Sequence, residues 1–406
     1  MNLSKIMIKK RTNKFRIYPN KQQELILLEH IDLCRQTYNS LLGELNNQKE
    51  IDQSELSALI PDLKICNPKL NKVYAKSLQS ECNRLFNNLR TLYSLKKKGR
   101  KVGRLRFKSK FSFKSITYNQ SGFKLVRTGK KLQKLSLSKI GEIIIKKHRK
   151  IEGKIKQIII KKTNSGKWFA NISTEIKEEI KNPINNKKIG IDLGINNYIY
   201  DSEGNNFDNP KFLNKNIIKL RKLNRNLSNK KKGSNNRTKA RLKVAKLHEK
   251  ISYQRNDFLH KLSRNYVNNY SLIAIEKLQI KNMIKNNKLS RSISDASWAK
   301  FIQMLEYKAE SAGVQVIKID PRNTTQECSN CNKIVKKKLS ERKHNCGCGL
   351  NIDRDYNSAI NILNKIKTTV GSTGSNSWGN VSVETSMNQE PIKVIKNILI
   401  KKFLKI

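Results

Sequence analysis

The sequence predicts an α/β protein that carries a zinc ribbon and is preceded by a small β-barrel with a helical insert. Three observations predict it. Asp192 and Glu276 each sit in a short apolar strand frame, Ile189-Gly190-Ile191-Asp192-Leu193-Gly194 and Leu272-Ile273-Ala274-Ile275-Glu276. Cys328, Cys331, Cys346 and Cys348 form two close pairs. The N-terminal part changes from a strand to helical spacing and back to strands.

The charge narrows the partners. Lys and Arg total 85, Asp and Glu 31, and the net charge is +54. Self-repulsion of that size opposes a compact chain unless a polyanion meets it, and the acids are too few to pair the bases. Nucleic acid is the expected partner. No run of about 18 apolar residues spans a bilayer, and Met1-Asn2-Leu3-Ser4-Lys5 lacks the apolar core of a signal peptide. The expectation is a cytoplasmic or nucleoid location in a prokaryote, with no membrane partner. Cys34, Cys66 and Cys82 are scattered, as reduced cysteines are.

The elements follow in order. Residues 8 to 18 read as a first strand closed by Pro19-Asn20. Leu25, Leu28, Ile31 and Tyr38, and then Leu78, Cys82, Leu85, Leu89 and Leu92, recur at helical spacing as core stripes, with Pro61 and Pro68 breaking the pattern between them. The stretch 96–110 is basic and Gly-punctuated, with Phe107 and then Phe111 interleaved. It reads as a loop or strand entry against phosphates, with Lys97, Lys98, Arg100, Lys101, Arg104 and Arg106 as contacts. Residues 111 to 176 are strand-like, with Thr163-Asn164-Ser165-Gly166 as a hairpin turn. A barrel is their expected closure.

Residues 178 to 187 read as a linker. The Asp192 strand follows, then Tyr198 to Tyr200 and a turn at Asp201-Ser202-Glu203-Gly204. Residues 214–270 read as a long helical hairpin with apolar stripes at Ile217, Leu220, Leu223 and Leu227, and at Ala240, Val244, Leu247, Ile251, Phe258 and Leu262. Its turn spans residues 230–236, and Lys230, Lys231, Lys232 and Arg237 are expected nucleic-acid contacts. After the Glu276 strand comes a helix over 295–312 with Trp298, Phe301, Leu305 and Tyr307 as its large apolar residues, stopped by Gly313. A strand over 314–319, the cysteines and a helix over about 355–366 complete the folded part. Residues beyond 368 are Gly-, Ser- and Asn-rich and read as a flexible basic tail.

Acids on apolar strands are costly to bury unless a cation meets them. Three acids, Asp192, Glu276 and Asp355, suit a magnesium site, which needs hard oxygen ligands. Two such ions support phosphodiester hydrolysis. From the residues alone, Asp355 competes with Asp353 for the third position, and either could cap the following helix. Gly194 is read as leaving room for a ligand.

Cys328-Ser329-Asn330-Cys331 and Cys346-Gly347-Cys348-Gly349 suit a tetrahedral structural zinc site with four thiolates. His344 is an alternative ligand.

Taken together, this order of motifs resembles the TnpB family of insertion-sequence proteins, relatives of type V CRISPR effectors. Ile189–Ile195, Ile275-Glu276-Lys277-Leu278 and Asp353-Arg354-Asp355-Tyr356-Asn357-Ser358-Ala359 resemble its three RuvC-like motifs, and the third places the ligand at Asp355. The stretch Tyr307-Lys308-Ala309-Glu310, residues 320–326 and the tail segment Asn388-Gln389-Glu390-Pro391 also read like the family. The resemblance covers essentially the whole chain, though up to residue 180 only in layout.

It implies an RNase H-like (RuvC-like) nuclease domain with an inserted zinc ribbon, behind a β-barrel wedge domain with an α-helical recognition insert. The implied boundaries are 1–20 and 96–180 for the wedge and 21–95 for the insert. The nuclease domain takes 188–324, with the basic hairpin 214–270, and 351–367. The ribbon takes 325–350, and 368–406 is tail. The resemblance implies an RNA-guided DNA endonuclease, monomeric in its ribonucleoprotein, with guide RNA from the transposon end and double-stranded target DNA as partners. A guided DNA-binding regulator that does not cut, a DDE-like transposase and a non-specific basic structural protein are the rival readings.

Overall fold

The computed structural model describes residues 6–48, 51–126, 132–179, 185–338 and 341–371. They divide into two compact units at Glu178/Glu179. The tail from residue 372, with the motif at 388–391, lies outside the described residues, as does 180–184 of the linker.

The first unit opens with β1 (Ile6–Tyr18), whose Asn13, Phe15 and Ile17 are buried in alternation. Asn20 starts α1 (Lys21–Asn47) with a capping box: its Oδ1 accepts from Gln23 N at 2.8 Å, and Gln23 Oε1 accepts from Asn20 N at 3.1 Å. Short helices α2 (Gln53–Ala58) and α3 (Ile60–Cys66) and a 3₁₀ turn at Pro68–Lys72 lead to α4 (Ala75–Lys97). The two prolines thus start short helical pieces, where a missing N–H costs nothing. Six strands follow: β2 (Ser115–Asn119), β3 (Phe123–Val126), β4 (Leu132–Leu137), β5 (Gly141–Lys146), β6 (Lys154–Lys162) and β7 (Trp168–Glu179).

These strands form a seven-stranded sheet in the order β2-β6-β7-β1-β5-β4-β3. Among the described residues no ladder joins its two ends, β2 and β3. Leu27, Ile31, Cys34, Tyr38, Leu78, Cys82 and Leu85 join Ile143, Ile145, Ile158 and Ile160 in one core, so helices cover the apolar face of the strands. The expected stripe on α1 is also displaced. Leu25 is 68% exposed, and Leu28 is exposed too, because the buried seam runs through Leu27, Ile31, Cys34 and Tyr38.

The second unit is built on a five-stranded mixed sheet. Its strands are β8 (Lys188–Leu193), β9 (Asn197–Asp201), β10 (Asn206–Asp208), β11 (Leu272–Glu276) and β12 (Gln315–Ile319) in the order β10-β9-β8-β11-β12. The β8/β9 and β9/β10 pairs are antiparallel, and β8/β11 and β11/β12 are parallel. Between β10 and β11 lie α5 (Phe212–Lys215), α6 (Ile217–Ser228) and α7 (Asn235–Asn269), with Leu220, Leu247 and Ile251 closing the α6/α7 hairpin. After β11 come α8 (Ile280–Met283), α9 (Ser290–Ala296) and α10 (Trp298–Ala312).

The single helix expected over 295–312 is broken at Ser297, which sits at φ 56°. Asp295 explains the break. Its buried carboxylate accepts from Leu213 N and Asn214 N and pairs with Arg255 at 2.6 Å, which fixes α9 against α5 and α7. Tyr307, expected on the apolar face of α10, is exposed. Beyond β12, a two-stranded ribbon pairs β13 (Lys343–Asn345) with β14 (Asn351–Asp353), and α11 (Arg354–Gly371) follows. The helix thus runs four residues into the segment expected to be tail. α7 and α10 pack on one face of the sheet, and α11 packs on the other through Ile362 and Ile366.

Candidate active site and zinc ribbon

Strand parity assembles the acids. Successive side chains alternate between the faces of a sheet. A Cβ at Gly190 would lie 2.2 Å from Ala359 O of α11, so the even-numbered residues of β8 face α11. Asp192 is therefore on that face. Ala274 pairs in register with Gly190 and packs with α11 residues, so Glu276 shares the face as well. Asp355 lies in the first turn of α11. Three acids from β8, β11 and α11 meet at one end of the sheet.

Hydrogen bonds distinguish Asp353 from Asp355. Asp353 Oδ1 accepts from Asp355 N at 2.7 Å and from Tyr356 N at 3.4 Å, so Asp353 caps α11. Asp355 is left to face the other acids. Its Oδ1 lies 3.3 Å from Arg354 Nε, and its Oδ2 lies 3.5 Å from Arg342 Nη1.

Burial and like charge shape the site. Burial pushes the Asp192 carboxyl well above the ordinary carboxylate range, Glu276 and Asp355 push it the same way, and Arg354 pulls back. Glu276 is also raised, first by burial, while a 2.6 Å hydrogen bond from Thr324 Oγ1 and the charge of Lys365 oppose the shift. Burial and mutual repulsion both favour the neutral carboxyl here, and a nearby positive charge would favour the ionised form. A Cβ at Gly194 would lie 3.9 Å from Asp355 Oδ2, so the missing side chain leaves space beside the acids. It would also lie 2.6 Å from Asn197 O, so the tight β8/β9 turn requires glycine.

Sequence reasoning missed the supports. Thr324 and Arg354 lie in stretches that read like the family but had no role assigned, and Arg342 lies in no motif. Asn357 and Asn361 did leave a signal, because they lie four apart on the apolar face of α11 and both are buried. Asn357 Nδ2 donates to Glu327 O at 2.7 Å and its Oδ1 accepts from Ser329 N at 3.0 Å. Asn361 Nδ2 donates to Thr324 O at 2.9 Å and Glu327 O at 2.7 Å. The two amides tie the segment that enters the ribbon, and the Thr324 that holds Glu276, to the helix that carries Asp355.

The four cysteines converge. Their Sγ atoms all lie within 4.8 Å of one another, with Cys328–Cys348 at 3.7 Å and Cys331–Cys346 at 3.5 Å. Zinc–sulfur bonds of about 2.3 Å at tetrahedral angles need sulfurs roughly 3.8 Å apart, so the donor set fits zinc. The Leu350 N–H and the Asn330 amide draw the Cys348 thiol down to about 6. His344 stays outside this group, buried, with Nδ1 against Lys337 Nζ.

The basic candidates divide. Lys97 ends α4 and Lys98 caps it, while Arg100, Lys101, Arg104 and Arg106 line an exposed strap. Lys231 and Lys232 are exposed at the α6/α7 turn, and Lys230 is half-buried. Arg237 is largely structural, since its Nη1 donates to Leu227 O at 2.9 Å and to Lys230 O at 2.8 Å.

Among known proteins, a family model described as probable transposase matches residues 171–287, and one described as Cas12f1-like, TNB domain matches 298–362. A helix-turn-helix model matches 7–50, although the described residues of that stretch fold as β1 and one uninterrupted α1. A protein of Streptomyces pristinaespiralis, provisionally named an RNA-guided DNA endonuclease, is 33% identical over 367 residues, covering 87% of this chain and 89% of that one. TnpB-like protein L770 of Acanthamoeba polyphaga mimivirus is 26% identical over 392 residues, covering 87% and 72%. The chain belongs to the TnpB family. Its fold is shared more widely: Cas12f1 in a Cas12f1–sgRNA–target DNA complex superposes with a TM-score of 0.57 at 16% identity, covering 88% of this chain and 99% of that one. The ribbon and the first half of α11, which supply Arg342 and Asp355, lie inside the stretch that matches the Cas12f1-like model. No helix among the described residues is long and apolar enough to cross a membrane.

Proposed function

We propose that the chain is an RNA-guided, magnesium-dependent DNA endonuclease of a transposable element, with Asp192, Glu276 and Asp355 as its metal ligands. The convergence of these three acids at one end of the sheet, in a chain of net charge +54, carries the reading. Sheet order supports an RNase H-like domain: the first strand, β8, is central, an antiparallel meander through β9 and β10 extends it on one side, and the parallel strands β11 and β12 extend it on the other. The seven-stranded sheet and α1–α4 are read as wedge and recognition insert, and the cysteine ribbon as a structural zinc module.

Magnesium bound by these carboxylates supplies Lewis-acid stabilisation of the charge that builds on a phosphodiester during hydrolysis. The chain's own groups prepare the place. Asp192 and Glu276 sit on strands held by ladder hydrogen bonds, which suits a site that must stay rigid. Thr324 fixes the Glu276 carboxylate. Arg342 and Arg354 hold Asp355 near the others despite its like charge. Exposed Lys and Arg give the sequence-independent hold on phosphates, while base pairing with the guide selects the target.

The test is to sequence RNA that copurifies with the protein and then challenge the complex with a plasmid library matched to it. Magnesium-dependent cuts in matched plasmids next to one short motif are expected. Tight guided binding without cuts points to a regulator, and joined element ends point to a transposase.

A further inference from the structure

We propose that residues 100–113 form a strap that holds the displaced DNA strand, with the Phe107 ring as a stacking platform for an unpaired base. The proposal rests on the guided reading above, in which pairing of the guide with one DNA strand leaves the other unpaired. The strap has no regular secondary structure over residues 101–109, yet it is pinned. Asn39 Nδ2 donates to Lys108 O at 3.0 Å, and Lys108 N donates back to Asn39 Oδ1 at 2.8 Å. Arg35 Nη1 adds a third bond to Lys108 O at 3.3 Å. Leu105 packs on the core, and Phe113 is buried with the Arg84 guanidinium 4.6 Å from its ring.

Between these anchors Phe107 is turned outward and is 61% exposed. A lone surface phenylalanine means little. This one is held out by a fixed backbone, and Arg104, Arg106 and Lys110 flank it along the strap. Cations spaced around a presented aromatic ring suit a strand whose phosphates and bases alternate. The strap contains no Asn, Gln, Asp or Glu between residues 100 and 113. It therefore lacks the amides and carboxylates that read adenine and cytosine edges; its polar side chains are Lys, Arg and Ser, and the presented ring offers sequence-tolerant stacking. That favours the displaced strand, whose sequence changes with every target, over a guide scaffold that stays constant.

The test uses the full chain loaded with its guide RNA and a labelled short oligothymidylate that does not match the guide. F107A and F107L should weaken binding about fivefold or more, and F107W should keep it. Melting temperatures should stay at the wild-type value, since the ring is exposed. Unchanged affinity in F107A overturns the proposal, as does a loss seen only with oligouridylate or in guide uptake. A second arm adds matched duplex to complexes in the Asp192→Ala background and reads permanganate attack on displaced-strand thymines. A thymine protected in the Phe107 complex and exposed in F107A is expected, and identical footprints contradict the platform. If no thymine reacts in any complex, the guided reading fails, and the oligothymidylate arm still decides what Phe107 does.

Discussion

Gly190→Ala tests how α11 is seated on the sheet. The added Cβ would lie 2.2 Å from Ala359 O, 2.8 Å from Leu363 N and 3.0 Å from Leu363 Cβ. The first two are backbone atoms of a helix and cannot rotate away. A carbon–oxygen contact relaxes to about 3.3 Å, so α11 must move by roughly 1 Å. Overpacking of this kind costs about 1–3 kcal/mol. At about 2–4 °C per kcal/mol for a unit of this size, the melting temperature should fall by several degrees. Asp355 is one turn from Ala359 on the same helix, so its carboxylate moves against Asp192 and Glu276. A misplacement of about 1 Å can cost about a hundredfold in rate. The assay pairs thermal melting with magnesium-dependent cleavage of a guide-matched plasmid. Gly43→Ala is the control, since a Cβ there meets nothing within 4 Å. A Gly190→Ala protein that melts and cuts like wild type refutes the claim that this contact sets the site.

Other perturbations reach different parts of the account. Asn361→Ala takes the side-chain donor from the Thr324 carbonyl and leaves Glu327 O with Asn357 alone, and a loss of about 1–3 kcal/mol with weaker cleavage is expected in melting and rate measurements. Glu81 is buried, and burial raises its carboxyl from 4.5 to about 8 although Arg84 pulls it down. A raised carboxyl contributes stability that is fully present below about pH 4.5 and is lost as pH rises through about 8. Melting temperature should therefore fall from pH 6 to pH 9 less steeply in Glu81→Gln than in wild type, and equal slopes would count against the assignment. Zinc removal with a thiol-selective chelator, or Cys328→Ser, should loosen the ribbon and release about one zinc per chain by metal analysis, with loss of cleavage because Arg342 and the Thr324 segment are carried by it.

The second unit was more legible in the sequence than the first, and the reason is periodicity. Asp192 and Glu276 stand out because an acid interrupts an apolar strand, and strand parity then places both on one face. The cysteines stand out by spacing. Asp355 could not be separated from Asp353 by residue type, since both suit a helix start, and only the capping bond to Asp353 separates them structurally. Supports such as Thr324 and Arg342 reach the site from segments without periodic pattern, so their sequence carries little signal. In the first unit, Leu25 and Leu28 matched a helical stripe but lie beside the true seam, because a helix with many apolar residues supports more than one stripe. How the helices cover the strands is a tertiary choice that strand alternation does not encode.

The most direct measurement of the central claim is cleavage by guide-loaded Asp192→Ala, Glu276→Ala and Asp355→Ala proteins, with guided DNA binding measured alongside. The account predicts that each substitution abolishes magnesium-dependent cutting while matched DNA is still bound. Cutting at the wild-type rate by any one of the three would contradict a single site built from β8, β11 and α11.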